Sequence, residues 1–180
     1  MAIKFYDTFV CLDTETTGLS PNYGSRITEI CAVKVVDGVV ADKISTLLDS
    51  VDYVPPEITR LTGITAAMLI GKPRPADIAP TVAEFIGDNM LLGANPKFDI
   101  TFLRADLNIV VHDSKLIDVC KIARALKTDT PNHKLQTLAR YFGIHNTAHR
   151  AEGDVMTTIA VYDCLRKLHD GERIYIKNMD

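Results

Sequence analysis

A run of apolar residues at positions 9–12 leads directly into two acidic residues, Asp13 and Glu15. Such a continuous run is typical of a central strand that is covered on both faces of a sheet. Since alternate residues of a strand point to the same side, Asp13 and Glu15 are expected to project together from its end. Two like charges so placed repel each other unless a cation lies between them, and Mg²⁺ and Mn²⁺ prefer carboxylate oxygens. The alternative is that both side chains are solvated in a turn.

The remainder of the chain predicts an α/β fold. Two apolar stretches, residues 27–36 and 39–48, flank Asp37-Gly38, which is a strong signal for a two-residue β-hairpin turn. Helical spacing and capping residues then predict six helices, with Asp77 as an N-cap: 56–61, 65–69, 77–86, 97–108, 132–143 and 152–169. Short apolar runs predict two further strands, at residues 90–94 and 116–119.

Composition limits the range of functions. The 180 residues include 47% hydrophobic residues, enough for one globular domain, which we expect to span residues 1–170 before a short tail at 171–180. The net charge of −3 predicts no long basic track for nucleic acid, so a nucleic-acid substrate must be held by metals and a few local basic residues. No stretch predicts a signal peptide or a membrane span, and the four isolated cysteines indicate buried thiols. A soluble, cytoplasmic protein is expected.

Two more carboxylates occupy the beginnings of predicted helices, on their inward faces. Asp99 shares a face with Phe102 and Leu103, and Asp154 shares one with Val161. A carboxylate directed inward is costly unless it is paired or binds a metal. The alternative for each is helix capping, because acidic residues are common in the first turn.

Three motifs in this order resemble a known family. They are DTETTG at residues 13–18, NPKFD at 95–99 and HRAEGD at 149–154. Together they resemble the DEDD-type 3′-to-5′ exonucleases, in the DEDDh branch that uses a histidine and is typified by the proofreading subunit of bacterial DNA polymerase III. The resemblance implies an RNase H-like fold: a mixed five-stranded sheet, first an antiparallel meander and then parallel strands, with helices on both faces.

The resemblance also implies the site residues. Four acidic residues are expected to bind two divalent cations, Mg²⁺ or Mn²⁺: Asp13, Glu15, Asp99 and Asp154. His149 is expected to be the general base. Three residues match positions where relatives contact the terminal nucleotide or its neighbour, although each is equally compatible with ordinary loop packing: Thr16, Leu19 and Ile64. Basic residues near the motifs, Arg150 among them, are left outside the site because scattered charges are usually solvated.

The predicted function is metal-dependent 3′-to-5′ hydrolysis of DNA that releases nucleoside 5′-monophosphates, in proofreading or repair. The expected partners are nucleic-acid 3′ ends, above all single-stranded DNA, with a DNA polymerase as a further candidate and no membrane. An RNA or oligoribonucleotide substrate is one alternative, and a non-catalytic polymerase-associated module is another. The chain has Ala94 and Thr62 where relatives commonly carry histidines, which leaves the choice between DNA and RNA open.

Overall fold

The structure is a computed structural model that describes residues 3–145 and 149–171. Within these ranges, five strands form one mixed sheet in the order β3-β2-β1-β4-β5. The strands are β1 (Phe9–Thr16), β2 (Ile27–Val36), β3 (Val39–Leu47), β4 (Leu91–Gly93) and β5 (Leu116–Asp118). The helices are α1 (Pro56–Thr62), α2 (Ala66–Leu69), α3 (Pro75–Ile86), α4 (Lys97–Leu107), α5 (Val119–Ala125), α6 (Leu135–Tyr141) and α7 (Ala151–His169).

The sheet has the predicted topology. Strands β2 and β3 form the expected antiparallel hairpin, and its turn residues Asp37 and Gly38 have φ values of 51° and 78°. Positive φ at both positions is what a tight hairpin turn of this kind requires. Strand β1 pairs antiparallel with β2 and parallel with β4, and β4 pairs parallel with β5. The predicted α/β fold with a mixed five-stranded sheet is therefore confirmed.

Strand β1 lies between two hydrophobic layers, because its successive side chains point to opposite faces of the sheet. Cys11 packs in a cluster with Val155 of α7, whereas Leu12 packs in a second cluster with Phe102 of α4. These residues are buried, as the apolar run at positions 9–12 predicts. Because both layers meet at β1, helices from opposite faces can contribute side chains to its C-terminal end.

Two predicted helix beginnings are wrong. Helix α3 begins at Pro75 rather than after Asp77, since proline fixes φ at the first helical position; Asp77 instead accepts a hydrogen bond from the backbone N–H of Arg74 at 3.2 Å. Helix α6 begins at Leu135 rather than near Asn132, whose side-chain oxygen accepts from the backbone N–H of Lys134 at 3.0 Å. That local bond forms a turn before the helix.

Another difference lies after β5. The predicted strand 116–119 ends at Asp118, whose carboxylate accepts hydrogen bonds from the backbone N–H groups of Cys120 and Lys121 and so caps α5. Helix α5 itself is absent from the prediction. The thiols of Cys11 and Cys31 are buried as expected, whereas those of Cys120 and Cys164 are half-buried.

The two ends of the chain are described only in part. Apart from Gly171, the predicted tail at residues 171–180 lies outside the described residues. Across the described ranges, every helix is too short or too polar to pass through a lipid bilayer.

Candidate active site

Three carboxylates converge at the C-terminal end of β1. Asp13 and Glu15 come from β1 itself, and Asp154 comes from the first turn of α7, in the layer that packs against this face of the sheet. One carboxylate oxygen from each of the three lies within 4.8 Å of the others. The register between β1 and β2 shifts between Glu15 and Thr16, next to the acidic residues.

Asp99 approaches the same end of β1 from the opposite layer. Its Oδ1 accepts hydrogen bonds from the backbone N–H of Thr14 at 3.0 Å and from the hydroxyl of Thr14 at 2.7 Å. Asp99 is buried in the first turn of α4, as its inward face predicts. Capping of α4 does not explain this contact, because Thr14 lies on β1. The fold thus brings the four acidic residues of the three motifs to one strand end.

Asp154 is held through both of its oxygens. Its Oδ1 accepts a hydrogen bond from the side-chain amide of Gln136 on α6 at 2.7 Å, and its Oδ2 accepts from the backbone N–H of His149 at 3.1 Å. The second bond joins His149, two positions before the helix, to its first turn, so Asp154 contributes both to the acidic cluster and to the start of α7. Gln136 is absent from the predicted site, because neither its type nor its spacing connects it with Asp154.

His149 lies beside this cluster, in the segment that leads into α7. Its side chain is exposed, and its backbone has a φ of 62°, in the left-handed region that few residues other than glycine adopt. His149 precedes Asp154 by five positions, and the hydrogen bond from its backbone N–H holds it next to that acid. His149 is therefore a solvent-accessible residue beside the carboxylates.

A fifth acidic residue also borders the site. Glu29 of β2 pairs directly opposite Glu15 of β1, and its carboxylate binds the guanidinium of Arg150. Arg150, expected to be solvated, is thus half of an ion pair with a buried carboxylate. The sequence does contain a signal for Glu29: an acid among the otherwise apolar residues on one face of β2 needs a partner.

The crowding of acids changes their proton affinity. Burial, followed by the charges of Asp99 and Asp154, raises the pKa of Asp13 well above its ordinary range. Burial and the charge of Asp154 raise the pKa of Glu15 to about 7. Burial likewise raises the pKa values of Asp99 and Asp154, against the hydrogen bonds that lower them. Converging oxygen ligands whose negative charges repel one another are the donor set that suits a hard divalent cation.

The three predicted substrate contacts differ in accessibility. Leu19 is 89% exposed in the loop after β1, whereas Thr16 is buried and its hydroxyl donates to the carbonyl oxygen of Gly18 at 2.7 Å. Ile64 is fully buried in a small cluster with Val54 and Leu69. Its burial favours loop packing over contact with a nucleotide, while Leu19 is free to contact one.

Thr62 and Ala94, which stand where relatives commonly carry histidines, both lie outside the cluster of acidic residues. Thr62 ends α1, where its hydroxyl donates to the carbonyl oxygen of Ile58 at 3.0 Å and accepts from the backbone N–H of Ile64 at 3.1 Å. Ala94 follows β4 and packs against the hydrophobic layer that contains α7. Neither position belongs to the carboxylate cluster.

Comparison with known proteins places this geometry in a family. The family model described as Exonuclease (RNase_T) matches residues 10–162. The DNA polymerase III subunit epsilon of Aquifex aeolicus is 32% identical over 86% of this chain and 78% of its own length. The PolC-type DNA polymerase III of Clostridium perfringens is 33% identical over 98% of this chain, which corresponds to only 13% of that polymerase.

Solved structures agree on the fold. Exonuclease X in complex with 5′ overhanging duplex DNA superposes with a TM-score of 0.67 at 25% identity, over 92% of this chain and 95% of that one. The nuclease domain of 3′hExo, a DEDDh family member bound to rAMP, superposes with a TM-score of 0.73 at 18% identity, over 98% of this chain and 99% of that one. The shared architecture is that of the RNase H-like exonucleases.

Proposed function

Because this chain belongs to the exonuclease family, we propose that it is a 3′-to-5′ exonuclease of the DEDDh branch, which hydrolyses terminal phosphodiester bonds of DNA and releases nucleoside 5′-monophosphates. The observation that carries this proposal is the convergence of Asp13, Glu15 and Asp154 within 4.8 Å. Asp99 reaches the same strand end through Thr14. A protein that only bound nucleic acid would have no evident need to crowd four carboxylates there.

The four carboxylates are proposed to hold two divalent cations, Mg²⁺ or Mn²⁺. Asp13, from the central strand, lies near enough to its acidic neighbours that their charges raise its pKa, and this central position suits a ligand shared by both ions. The cations would supply the positive charge that activates water and stabilises the leaving 3′ oxygen. Gln136 and the backbone of His149 hold Asp154 in one orientation, which limits the reorganisation needed on binding.

His149 is proposed to be the general base. In the hydrolysis, a water attacks the terminal phosphorus, its proton passes to the imidazole nitrogen, and the bond from phosphorus to the 3′ oxygen of the preceding nucleotide breaks. Histidine suits this transfer because imidazole changes charge near neutral pH. The side chain is exposed, so it can reach a substrate, and its backbone is anchored to Asp154, so it stays near the carboxylates.

The loop that leaves β1 is proposed to receive the terminal nucleotide. The hydroxyl of Thr16 ties this loop to Gly18, and Leu19 extends from it into solvent. An apolar side chain there can pack on a base or sugar without reading sequence. A terminal nucleotide bound at this loop, beside the proposed cations, should carry a free 3′ hydroxyl. A 3′ phosphate adds charge and bulk and should block hydrolysis.

DNA is the proposed substrate because the relatives that this chain matches include a PolC-type DNA polymerase III and a DNA polymerase III epsilon subunit. A role in proofreading or repair follows from that relationship, with a DNA polymerase as a proposed partner. RNA is the second candidate, since the DEDDh nuclease domain with a matching fold was solved with rAMP bound.

Degradation of end-labelled substrates tests the proposal. With Mg²⁺, 5′-labelled single-stranded DNA should yield a ladder of shortening products, while the same strand with a 3′ phosphate should remain intact. Duplex DNA and RNA of the same sequence should be cut more slowly. Immediate release of a labelled mononucleotide would contradict the 3′-to-5′ direction, faster cutting of RNA would contradict the substrate, and full activity in excess EDTA would contradict the role of the cations.

A further inference from the structure

Glu29 is a buried acid that the proposed reaction does not use. It lies on β2, opposite Glu15, and its side chain is 5% exposed. A buried charge is costly unless it is paired and hydrogen-bonded. Here it is fully paired: the Nε of Arg150 donates to Oε1 at 3.2 Å and to Oε2 at 3.0 Å, and the Nη2 donates to Oε1 at 2.6 Å. The planar guanidinium thus meets the carboxylate through two of its nitrogens.

The same carboxylate also binds the backbone of the last helix. Oε2 of Glu29 accepts a hydrogen bond from the N–H of Ala151, the first residue of α7, at 3.0 Å. That N–H belongs to the first turn of the helix, where backbone donors have no partner within the helix itself. Glu29 therefore holds two consecutive residues, Arg150 by its side chain and Ala151 by its main chain.

These contacts act on the residue immediately before them. His149 has a left-handed backbone with a φ of 62°, a conformation that persists in residues other than glycine only when the surroundings enforce it. The described contacts that can enforce it lie on its C-terminal side: the bond from its own N–H to Asp154, and the attachment of Arg150 and Ala151 to Glu29. The direction in which the imidazole leaves the chain depends on this conformation.

The location of Glu29 is not the one that stability alone would select. It adds a negative charge directly opposite Glu15 of the neighbouring strand β1, in a region already crowded with carboxylates, and like charges opposite each other in a sheet are unfavourable. An apolar side chain at this position would continue the strand pattern of β2 without that repulsion. A carboxylate, however, can bind a guanidinium and a backbone N–H at once.

We infer that Glu29 and Arg150 are positioning residues that hold His149 in the orientation in which its imidazole accepts the proton of the attacking water. This inference rests on the proposed function, because it assigns the pair to the proposed base. Neither residue touches the substrate in this role. Their contribution passes through the backbone of residues 149–151 and should therefore disappear when the imidazole is removed.

A double-mutant experiment tests this dependence. Turnover of single-stranded DNA is measured at saturating Mg²⁺ for wild type, Glu29→Gln, His149→Ala and the double variant, and thermal melting monitors folding. Glu29→Gln is isosteric and keeps an acceptor for Ala151, but it loses the charged pair. We expect it to lower kcat by at least tenfold while KM changes less than threefold. In the His149→Ala background the same substitution should change the residual kcat by less than twofold.

Two further variants make the comparison sharp. Arg150→Gln removes the other half of the pair from a half-exposed side chain, and it should repeat the pattern of Glu29→Gln even if the latter folds poorly. Glu152→Gln is the matched control, since Glu152 also joins α7 to the sheet, through an ion pair with Lys43 whose atoms are 2.5 Å apart, and it should keep wild-type kcat.

Each remaining outcome has one meaning. An equal loss from Glu29→Gln with and without the imidazole would overturn the inference while leaving the proposed function intact, because the pair would then act on the fold or on the acidic cluster. Unchanged kcat in both Glu29→Gln and Arg150→Gln would do the same. Wild-type turnover in His149→Ala would instead overturn the proposed base, and the inference with it.

Discussion

Asp13 lies among the other acidic residues of the site. It belongs to the central strand, and burial, followed by the charges of Asp99, Asp154 and Glu15, raises its pKa. A carboxylate surrounded in this way would suit a ligand shared by the two proposed cations. The amide of asparagine has the same shape but lacks the charge and one of the two strong acceptors.

Asp13→Asn should therefore abolish turnover while leaving the protein folded. We expect a loss of at least roughly 1,000-fold in kcat, since the cations' contribution to charge stabilisation amounts to several kcal/mol. Steady-state assays with Mg²⁺ and with Mn²⁺ measure the loss, and circular dichroism checks the fold. Activity near wild type in this variant would show that Asp13 does not bind the catalytic cations.

His149 can be examined through pH. Turnover that depends on a general base should fall as the pH is lowered from about 8 to about 5, because a protonated base can no longer accept a proton. Protonation of Glu15, whose pKa is raised to about 7, acts in the same direction, so saturating Mg²⁺ is needed to keep the carboxylates ionised.

The comparison with His149→Ala separates the two effects. This variant should lose most of its turnover, by about 100-fold or more, yet keep Mg²⁺ and DNA affinity, because a base acts on the chemical step. Binding is measured by fluorescence anisotropy and turnover by single-turnover kinetics. If the variant turned over substrate like the wild type across this pH range, His149 would be a structural residue of the loop.

At the scale of elements, the site depends on how α6 and α7 pack against the sheet. Both helices contribute to the hydrophobic layer on one face of β1, through Leu138 and Val155 among others. This packing brings Gln136 to within 2.7 Å of Asp154. The amide satisfies one lone-pair direction of a carboxylate that is largely buried, and this hydrogen bond lowers its pKa.

Gln136→Leu should weaken cation binding. Loss of the hydrogen bond allows the pKa of Asp154 to rise further and frees the carboxylate to rotate, so the Mg²⁺ concentration for half-maximal activity should increase by about tenfold. Titration of activity with Mg²⁺ measures the change. Arg140→Gln, an exposed change on the same helix, is the control and should leave the titration unaltered. Identical titration curves for Gln136→Leu and wild type would remove Gln136 from the site.

At the scale of the whole molecule, the acidic cluster sets how stability depends on pH. A buried carboxyl whose pKa is raised binds a proton in the folded state at a pH where the unfolded chain has released it. For Glu15 this window extends from its ordinary value of 4.5 to about 7. The folded protein binds more protons there, so the free energy of unfolding of the cation-free protein falls as the pH rises through the window.

Thermal melting in EDTA should therefore show lower stability at pH 8 than at pH 5.5, by on the order of 1–2 kcal/mol or about 2–8 °C. Addition of about 10 mM Mg²⁺, enough to fill the proposed cation sites, should restore more stability at pH 8 than at pH 5.5. Exposed acids with lowered pKa values, such as Asp88, act below this window.

Asp13→Asn is the informative companion variant, since removing one of the repelling charges should flatten the pH dependence. A cation-free wild-type protein that became more stable as the pH rose from 5.5 to 8 would show that the cluster carries no such repulsion.

The sequence by itself determined the parts of this protein that depend on near neighbours. The apolar run before Asp13, the turn at Asp37-Gly38 and the inward stripes of α4 and α7 follow from spacing along the chain. Three ordered motifs were enough to name the family and its acidic residues. The predicted helix beginnings at Asp77 and Asn132 are wrong, because a proline or a side-chain turn a few positions away competes with the expected cap.

Only the tertiary structure decided which atoms meet. Thr14 and Asp99 are 85 positions apart and Glu29 and Arg150 are 121 apart, yet both pairs lie at one end of β1. The burial of Ile64 and the hydrogen bond of Gln136 to Asp154 likewise depend on how distant segments pack. The physical reason is that a side chain's burial and hydrogen-bond partners depend on the path of the whole chain. Local spacing determines only the element on which the side chain sits and the face toward which it points.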